Sequence, residues 1–169
     1  MKGEIWEHSK IQSGVLSVFL SVNISIDFRG IVLKLRKAED KTQVYDPIRK
    51  KWLQLTPEEH VRQYILCYFT ATLAYPQSLI AAEKAISVGA RTKRFDIVVY
   101  DRNHNPWMLV ECKSPDVPLS RATFMQLLSY QTTLQARYWV LTNGHETFCA
   151  DASDVNNILW LSDLPAFGL

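Results

Sequence analysis

The chain has 169 residues, of which 47% are hydrophobic, and this length and content suit a single globular domain with a sizeable core. Its formal net charge of +2 excludes the strong overall positive charge that marks many polyanion-binding proteins. The three cysteines, Cys67, Cys112 and Cys149, are widely spaced and fit neither a zinc pattern nor a disulfide framework. This cysteine usage predicts a reducing cytoplasmic location.

The N-terminal part of the chain is expected to be rich in strands. Residues 1–30 are a strand-prone extension with no assignable chemistry, and residues 31–55 are predicted to form short strands or a hairpin. The apolar stretch 11–28 is interrupted by Ser and Asn residues, so we do not expect it to span a membrane. It is also a poor secretory signal, because Glu4 and Glu7 dilute the positive charge before it.

Basic residues occur in three clusters, at positions 34–37, 49–51 and 91–94. Solvated loops and strand ends are the simpler interpretation of any one such cluster. The third cluster leads directly into the strand that carries Asp96, and it is therefore the one best placed to meet a phosphate backbone.

The pattern changes at residues 56–59, which predict the start of a helix. Thr56 is a good N-cap, Pro57 suits the first helical position, and Glu59 completes a capping box. The helix is expected to run to about Ala74, before Pro76, with an apolar stripe formed by Val61, Ile65, Tyr68, Phe69 and Thr72.

Strands and a second helix are predicted after the first helix. Residues 78–88 are a strand, chiefly in their second half, although 81–85 would tolerate a helix; strand-like runs at 94–101 and 106–113 flank a polar turn. A loop at 114–118 then leads to Ser120, a suitable N-cap for a helix over 122–136. Further strands are predicted at 138–142, 146–150 and 158–161, with a turn at 143–144. This order describes one α/β sandwich around a mixed sheet.

The hairpin over residues 94–113 brings three charged side chains together. Folding it about its central turn pairs positions whose numbers sum to 207, so that Asp96 lies opposite Glu111 and Lys113 shares the face of Glu111. Two carboxylates directly across a strand pair have Cβ atoms about 5 Å apart and repel each other. A bound cation would hold them together, which is the layout of a magnesium-dependent phosphodiesterase site.

The same register assigns the remaining hairpin residues to faces. Tyr100 is expected to face Trp107 and Val98 to face Leu109. The opposite face is expected to carry Ile97, Val99, Val110 and Cys112. Cys112 is thus predicted to be a buried strand cysteine rather than a thiol nucleophile with His104 or His145 as its base.

These elements and residues resemble the PD-(D/E)xK nuclease superfamily, whose core runs α-β-β-β-α-β. They are similar in particular to the N-terminal nuclease domain of type I restriction enzyme R subunits and to the small free-standing proteins built on it. The likeness covers roughly residues 44–150 and includes the segments 49–53, 55–59, 93–100, 109–115 and 140–144. It implies a restriction-endonuclease-like α/β fold in which helices flank a mixed central sheet. Residues 1–169 would form a single domain, with 1–43 as an N-terminal β extension.

The resemblance assigns site residues by position. Asp96 matches the first acid of the motif, and Glu111 and Lys113 match its (D/E)xK, while Phe95 stands where the motif has Pro. The literal Pro-Asp at 115–116 follows this motif in a loop and has no counterpart in it.

Two helical motifs complete the resemblance. Gln126 and Tyr130 match the QxxxY motif and lie four residues apart, on one helix face. The family also uses a Glu on its first helix. We expect this to be Glu58, which falls within the stripe facing the sheet, while Glu59 has the capping role and Glu83 is structural.

The expected chemistry is metal-dependent hydrolysis. Mg²⁺, or Mn²⁺ in its place, would be held by Asp96, Glu111 and the carbonyl of Cys112, with Glu58 reaching a bound water. The metal would activate a water and stabilise charge on the phosphate. Lys113 is expected to stay charged beside two carboxylates, and so to orient the water and stabilise the transition state rather than act as a base. Gln126 and Tyr130 would position the substrate or the lysine.

The resemblance therefore implies an endonuclease that hydrolyses DNA phosphodiester bonds in restriction or another defence against foreign DNA. The alternative is a nuclease-fold module that binds DNA or a partner protein with little or no cleavage. The site layout does not distinguish DNA from RNA. The implied partners are DNA and other restriction-system subunits, with no membrane, and a homodimer is left open.

Overall fold

The structure is a computed structural model that describes residues 22–88, 91–120, 122–124, 127, 134–154 and 157–168, the side chains of 86–88 and 91–93 excepted. Within these ranges the first sheet comprises β1 (Leu35–Ala38), β2 (Lys41–Asp46) and β3 (Lys51–Gln54). Helix α1 (Pro57–Cys67) follows. The second sheet comprises β4 (Ile80–Val88), β5 (Arg91–Tyr100), β6 (Pro106–Cys112), β7 (Tyr138–Thr142), β8 (Thr147–Asp151) and β9 (Leu159–Leu161).

The larger sheet is mixed, as predicted. Its strands lie in the order β4-β5-β6-β7-β8-β9, in which β6 and β7 are parallel and every other neighbouring pair is antiparallel. A parallel pair needs a crossover connection. The described residues 122–124, 127 and 134 of this connection are helical, and Gln135 then takes a φ of 45°. The predicted restriction-endonuclease-like order of helix, three strands, helix and strand is confirmed.

Helix α1 begins where the sequence predicts. Thr56 is extended, with φ −86° and ψ 162°, and its Oγ1 accepts a hydrogen bond from the Glu59 amide at 3.1 Å. The reciprocal half of the predicted capping box is wrong: the Thr56 amide donates to the Gln54 carbonyl, and the Glu59 carboxylate bonds to side chains outside the cap. The α-helix ends at Cys67 rather than near Ala74, because the chain continues as a π-helical turn over Tyr68–Thr72.

The core lies on both faces of the six-stranded sheet. One face carries Ile97, Val99, Val110 and Cys112, the four residues that strand alternation predicted to share a face. Ile65 of α1 and Phe69 of the π-helical turn pack in the same cluster. On the other face, Val98, Leu109 and Leu141 pack against Phe124, Leu127 and Leu134 of the crossover. Cys112 is fully buried, and burial raises the pKa of its thiol well above its usual value, as expected of a structural cysteine.

Two expectations about strands were wrong. Residues 22–34 form no strand; Ile24 instead donates a backbone hydrogen bond to the Thr147 carbonyl at 2.8 Å, and residues 1–21 lie outside the described ranges. The β5–β6 register shifts after Val99, so that Tyr100 pairs with Pro106 and not with Trp107. The cause lies in the turn, where the Asp101 carboxylate accepts hydrogen bonds from the amides of Asn103 and Asn105.

Candidate functional site

The hairpin of β5 and β6 places the three acidic and basic residues of the predicted motif together. Ile97 pairs with Val110 and Val98 with Leu109, which is the register predicted for this part of the hairpin. Asp96 Oδ2 accepts a hydrogen bond from the Cys112 amide at 2.7 Å. Lys113 directly follows β6, and its Nζ lies 2.6 Å from Glu111 Oε1 on that strand.

Strand β5 is irregular at Asp96. Phe95 packs in the same cluster as Val98, although strict alternation would place it with Ile97. In the ladder between β4 and β5, Ala82 pairs with Ile97 and Lys84 pairs with Phe95. Glu83 lies between these two pairs on β4 and has a φ of 54°. This local distortion allows both Asp96 and Glu83 to contact a side chain of α1, on the other side of the sheet from Val98. The prediction that Asp96 shares the face of Val98, away from Ile97, was therefore wrong.

That side chain is Arg62, a residue that the sequence interpretation missed. Its Nη2 lies 3.0 Å from Asp96 Oδ1, 3.1 Å from Glu58 Oε1 and 2.9 Å from Glu83 Oε1, and its Nη1 bonds to Glu59 Oε2. Only 5% of the side chain is exposed. Burial alone would lower the pKa of Arg62, but the surrounding carboxylates outweigh it, so the pKa lies above its ordinary value. The sequence signal that could have identified Arg62 was the position of a basic residue next to Val61, in the buried stripe of α1.

The two candidate carboxylates of α1 have different surroundings. Glu59 is buried, and its carboxylate bonds to Arg49 Nη2 and Gln63 Nε2, each at 2.8 Å, in addition to Arg62. Glu58 is 45% exposed at its side chain and shares Arg62 Nη2 with Asp96. The expectation that Glu58 falls within the stripe facing the sheet, with Glu59 in a capping role, was wrong as to burial, because Glu59 is the buried residue. Burial and the charge of Asp96 are the main causes that raise the pKa of Glu111, and of the two α1 acids only Glu58 adds to this shift.

A second buried acid, Asp46, fixes the smaller sheet to α1. Its Oδ1 accepts hydrogen bonds from the amides of Ile48 and Arg49, both at 2.8 Å. Its Oδ2 lies 2.5 Å from Arg49 Nε and 2.9 Å from Gln63 Nε2. Because Arg49 and Gln63 also bond to Glu59, a continuous polar network extends from β2 through α1 to the carboxylates at Asp96.

The electrostatics of the site indicate an excess of negative charge around Glu111. Burial, together with the charge of Asp96, raises the pKa of Glu111 to about 7, although Lys113 opposes the shift. Burial would lower the pKa of Lys113, but its hydrogen bond to Glu111 and the nearby carboxylates outweigh that effect and raise it. Lys113 is therefore a cation at neutral pH.

The carboxylates of the site are of the chemical type that binds a hard divalent cation, but their positions do not form a complete set of metal ligands. Asp96, Glu111 and Glu58 supply the carboxylate oxygens that Mg²⁺ prefers, and their mutual repulsion would be relieved by a cation. Across the described ranges, however, no group of three or more His, Cys, Asp or Glu side chains is arranged to hold a metal. The positions beside Asp96 are taken by Arg62 and by the Cys112 amide, so a metal would share or displace these contacts.

The QxxxY residues cannot be placed with the rest of the site. Gln126 and Tyr130 lie outside the described residues. Their neighbours Phe124 and Leu127 pack in the cluster that contains Leu109, which is two residues before Glu111 on β6.

Residues 57–165 match the family model described as "Type I restriction enzyme R protein N terminus". The chain belongs to this family. The match begins at the first residue of α1 and includes Asp96, Glu111 and Lys113. It confirms the resemblance on which the fold and the site residues were expected.

Other comparisons are less extensive. No curated protein matches the chain. Among solved structures, the chain is similar to a fragment described as an HsdR subunit of a type I restriction enzyme from Vibrio vulnificus YJ016, with 22% identity and a TM-score of 0.48. That likeness covers 66% of this chain and 24% of the other, so the chain spans about a quarter of the length of that fragment. None of the helices in the described ranges is long and apolar enough to cross a membrane.

Proposed function

We propose that this restriction-family domain is a metal-dependent endonuclease of the PD-(D/E)xK type that hydrolyses DNA in the cytoplasm. The observation that carries the proposal is the meeting of Asp96, Glu111 and Lys113 at the β5–β6 hairpin, with burial and neighbouring carboxylates raising the pKa of Glu111 to about 7. Such a raised pKa marks a site where negative charge is concentrated away from water, and perturbed pKa values cluster at functional sites.

Each residue has a proposed role. Asp96 and Glu111 would hold Mg²⁺, or Mn²⁺ in its place, with the Cys112 carbonyl and a water-mediated contact from Glu58. When bound, the cation would supply a water of lowered pKa and neutralise charge on the phosphate. Lys113, held as a cation by Glu111, would orient that water and stabilise the negative charge that develops on the phosphate oxygens.

The remaining residues would position the substrate. Gln126 and Tyr130 are proposed, from their sequence spacing alone, to contact the DNA or Lys113. DNA and the other subunits of a restriction system are the proposed partners, and a homodimer stays a prediction.

The proposal is tested by nicking of supercoiled plasmid with Mg²⁺, with Mn²⁺ and with EDTA. We expect cleavage with either metal, none in EDTA, and a loss of at least about a hundredfold in Asp96→Asn and Lys113→Ala. Asp116→Asn is the matched control, because Asp116 is an exposed loop acid that bonds to Ser114 Oγ, and it should cleave as the wild type does. Circular dichroism would establish that each variant is folded. Equal cleavage by the wild type and both site variants would identify a contaminating nuclease and refute the proposal.

One observation favours the alternative of a binding module with little cleavage. Both oxygens of Asp96 already accept hydrogen bonds, one from Arg62 and one from the Cys112 amide. Isothermal titration of the purified protein with Mg²⁺ and Mn²⁺ separates the two functions. Metal binding that Asp96→Asn abolishes supports the nuclease, and DNA binding with no metal binding supports the module.

A further inference from the structure

The small sheet has an outer face that combines basic and aromatic side chains. Arg36 pairs with Gln43 and Tyr45 with Trp52, so these side chains project from the same side of the sheet. We define the outer face by its members Lys34, Arg36, Lys41, Gln43, Tyr45 and Trp52. The opposite side carries Val44 and Asp46, which are fully buried.

The side chains of the outer face contact one another closely. Lys34 Nζ lies 5.1 Å from the Tyr45 ring centroid and 5.7 Å from that of Trp52, and Arg36 Cζ lies 4.3 Å from the Trp52 centroid. The two rings are 5.5 Å apart and tilted by 64°. Arg36 Nε also donates to Gln43 Oε1 at 2.8 Å, which holds the guanidinium beside the indole. The face is thus an ordered row of cations and rings.

The charged side chains of this face are all positive. Lys34, Arg36 and Lys41 are exposed, and none of the six outer-face positions carries Asp or Glu. Of the acids close in sequence, Asp46 lies on the opposite, buried side of the sheet. Glu39 and Asp40 form the turn beyond the strand ends and have φ values of 51° and 59°. Cation–π pairs at exposed sites stabilise a protein by about 0.5–1 kcal/mol each. This stabilisation accounts for Lys34 and Arg36, but it does not account for the third cation, Lys41, or for the lack of acids on the face.

We propose that the outer face binds single-stranded nucleic acid. Lys34, Arg36 and Lys41 would contact successive phosphates, and unstacked bases would stack on the rings of Tyr45 and Trp52 or on the Arg36 guanidinium. A duplex keeps its bases stacked on each other, so it could use only the cations. The face lies before the residues that match the restriction family, and the inference does not depend on cleavage.

The position of this face is fixed relative to the carboxylate site. Asp46, on the inner side of β2, bonds to Arg49 and Gln63, which both bond to Glu59 of α1. Glu59 in turn bonds to Arg62, the partner of Asp96. A nucleic-acid strand bound on the outer face would therefore contact a sheet that is anchored to the carboxylate site. In a domain that cleaves DNA, this would add a second binding surface for a single strand.

Binding is measured by fluorescence anisotropy of a labelled oligothymidine of about 20 nucleotides, in EDTA so that no cleavage can contribute. The double variant Lys34→Glu/Arg36→Glu should raise the Kd at least about tenfold and reduce the slope of log K against log salt by about 1.4. The control is Lys37→Glu/Lys50→Glu, which makes the same change of charge at two exposed positions outside the outer face, one on β1 and one in the turn before β3. Its Kd should stay within about threefold of the wild type. Circular dichroism verifies that all variants are folded.

A further variant and the comparison with duplex DNA also test the inference. Trp52→Leu should weaken binding further in a variant that keeps the wild-type circular dichroism, because a base loses its stacking partner. Absence of binding by the wild type, equal losses in the two double variants, or duplex binding as tight as single-strand binding would each overturn the inference. Because no metal is present, failure here is distinct from failure of the plasmid-nicking test.

Discussion

Arg62 Nη2 lies 3.0 Å from Asp96 Oδ1, and this contact joins helix α1 to strand β5 where the proposed metal ligands meet. The same nitrogen contacts Glu58 and Glu83, so one guanidinium joins carboxylates from two strands and a helix. A buried charge of this kind stabilises a fold only as long as its partners remain. Arg62 is therefore the residue on which the assembly of the site depends.

Replacing Arg62 by Met should strongly destabilise the protein. The variant leaves the buried carboxylate of Glu59 and the partly buried carboxylates of Glu83 and Asp96 without their shared cation, which costs about 3–5 kcal/mol in the free energy of unfolding. Urea unfolding followed by circular dichroism measures this cost. The control is Arg137→Met, because Arg137 pairs with Asp151 from a half-exposed position and should cost at most about 1 kcal/mol.

Mg²⁺ provides a second readout of the same variant. If Arg62 fills the place of a metal beside Asp96, a divalent cation should recover part of the lost stability of Arg62→Met, and more than it adds to the wild type. The additional change Asp96→Asn should remove this recovery. Equal destabilisation by Arg62→Met and Arg137→Met, with no effect of Mg²⁺, would contradict the assigned role.

The two acids of α1 should separate structure from activity. Glu59→Gln removes the charge that Arg49 and Arg62 share, and it should lower the free energy of unfolding by about 2–4 kcal/mol. Glu58→Gln changes a half-exposed carboxylate and should alter stability by less than about 1 kcal/mol, while reducing metal-dependent nicking. Paired measurements of urea midpoint and plasmid nicking check both statements. A stable, fully active Glu58→Gln variant would show that Glu58 is not the helix carboxylate of the site.

Local patterns in the sequence were sufficient for most of the fold. The Thr56 cap marked the start of α1, and strand β7 occupies the residues that its apolar run predicted. The hairpin register also held from Ile97 to Val99, because alternation and the turn agree there. It failed at Tyr100, where the Asp101 carboxylate organises the turn one residue earlier than a symmetric hairpin would.

The site was predictable only in part, because its polar network is tertiary. The strand period relates Glu111 to Lys113, but it fails at Asp96, where β5 is irregular. The contact between Arg62 and Asp96 joins residues 34 positions apart. Asp46 was also missed, since its burial depends on the small sheet packing against α1. A charged residue within a buried helical stripe, as Arg62 is, was the one sequence signal that could have identified this network.

The turn after β7 should be sensitive to a single methyl group. Gly144 has a φ of 87°, and a Cβ built there would lie 3.2 Å from Val61 Cγ2 of α1. Gly144→Ala should therefore destabilise the protein by more than the about 1–2 kcal/mol that the left-handed backbone alone costs. Gly30→Ala is a matched control, because Gly30 has a φ of 85° with nothing within 4 Å of its Cβ position. Urea midpoints that shift equally in the two variants would show that the Val61 contact relaxes without cost.

Glu111 should make the protein less stable as the pH rises from about 4.5 to 7. Burial and the charge of Asp96 raise its pKa to about 7 in the folded chain, above the ordinary 4.5, so the folded state binds more protons than the unfolded state in this interval. The free energy of unfolding then falls with pH, by on the order of 3 kcal/mol at most, and is constant for this group above pH 7. Urea unfolding in EDTA at pH 5 and pH 8 measures the fall.

Glu111→Gln should remove this pH dependence, whereas Glu39→Gln, at an exposed position in the β1–β2 turn, should keep it. Adding Mg²⁺ should also flatten the wild-type profile, because a cation beside Glu111 favours the ionised carboxylate and lowers its pKa. Parallel pH profiles for the wild type and Glu111→Gln would mean that the pKa of Glu111 is the same in the folded and the unfolded chain. The concentration of negative charge on which the proposed metal site rests would then be absent.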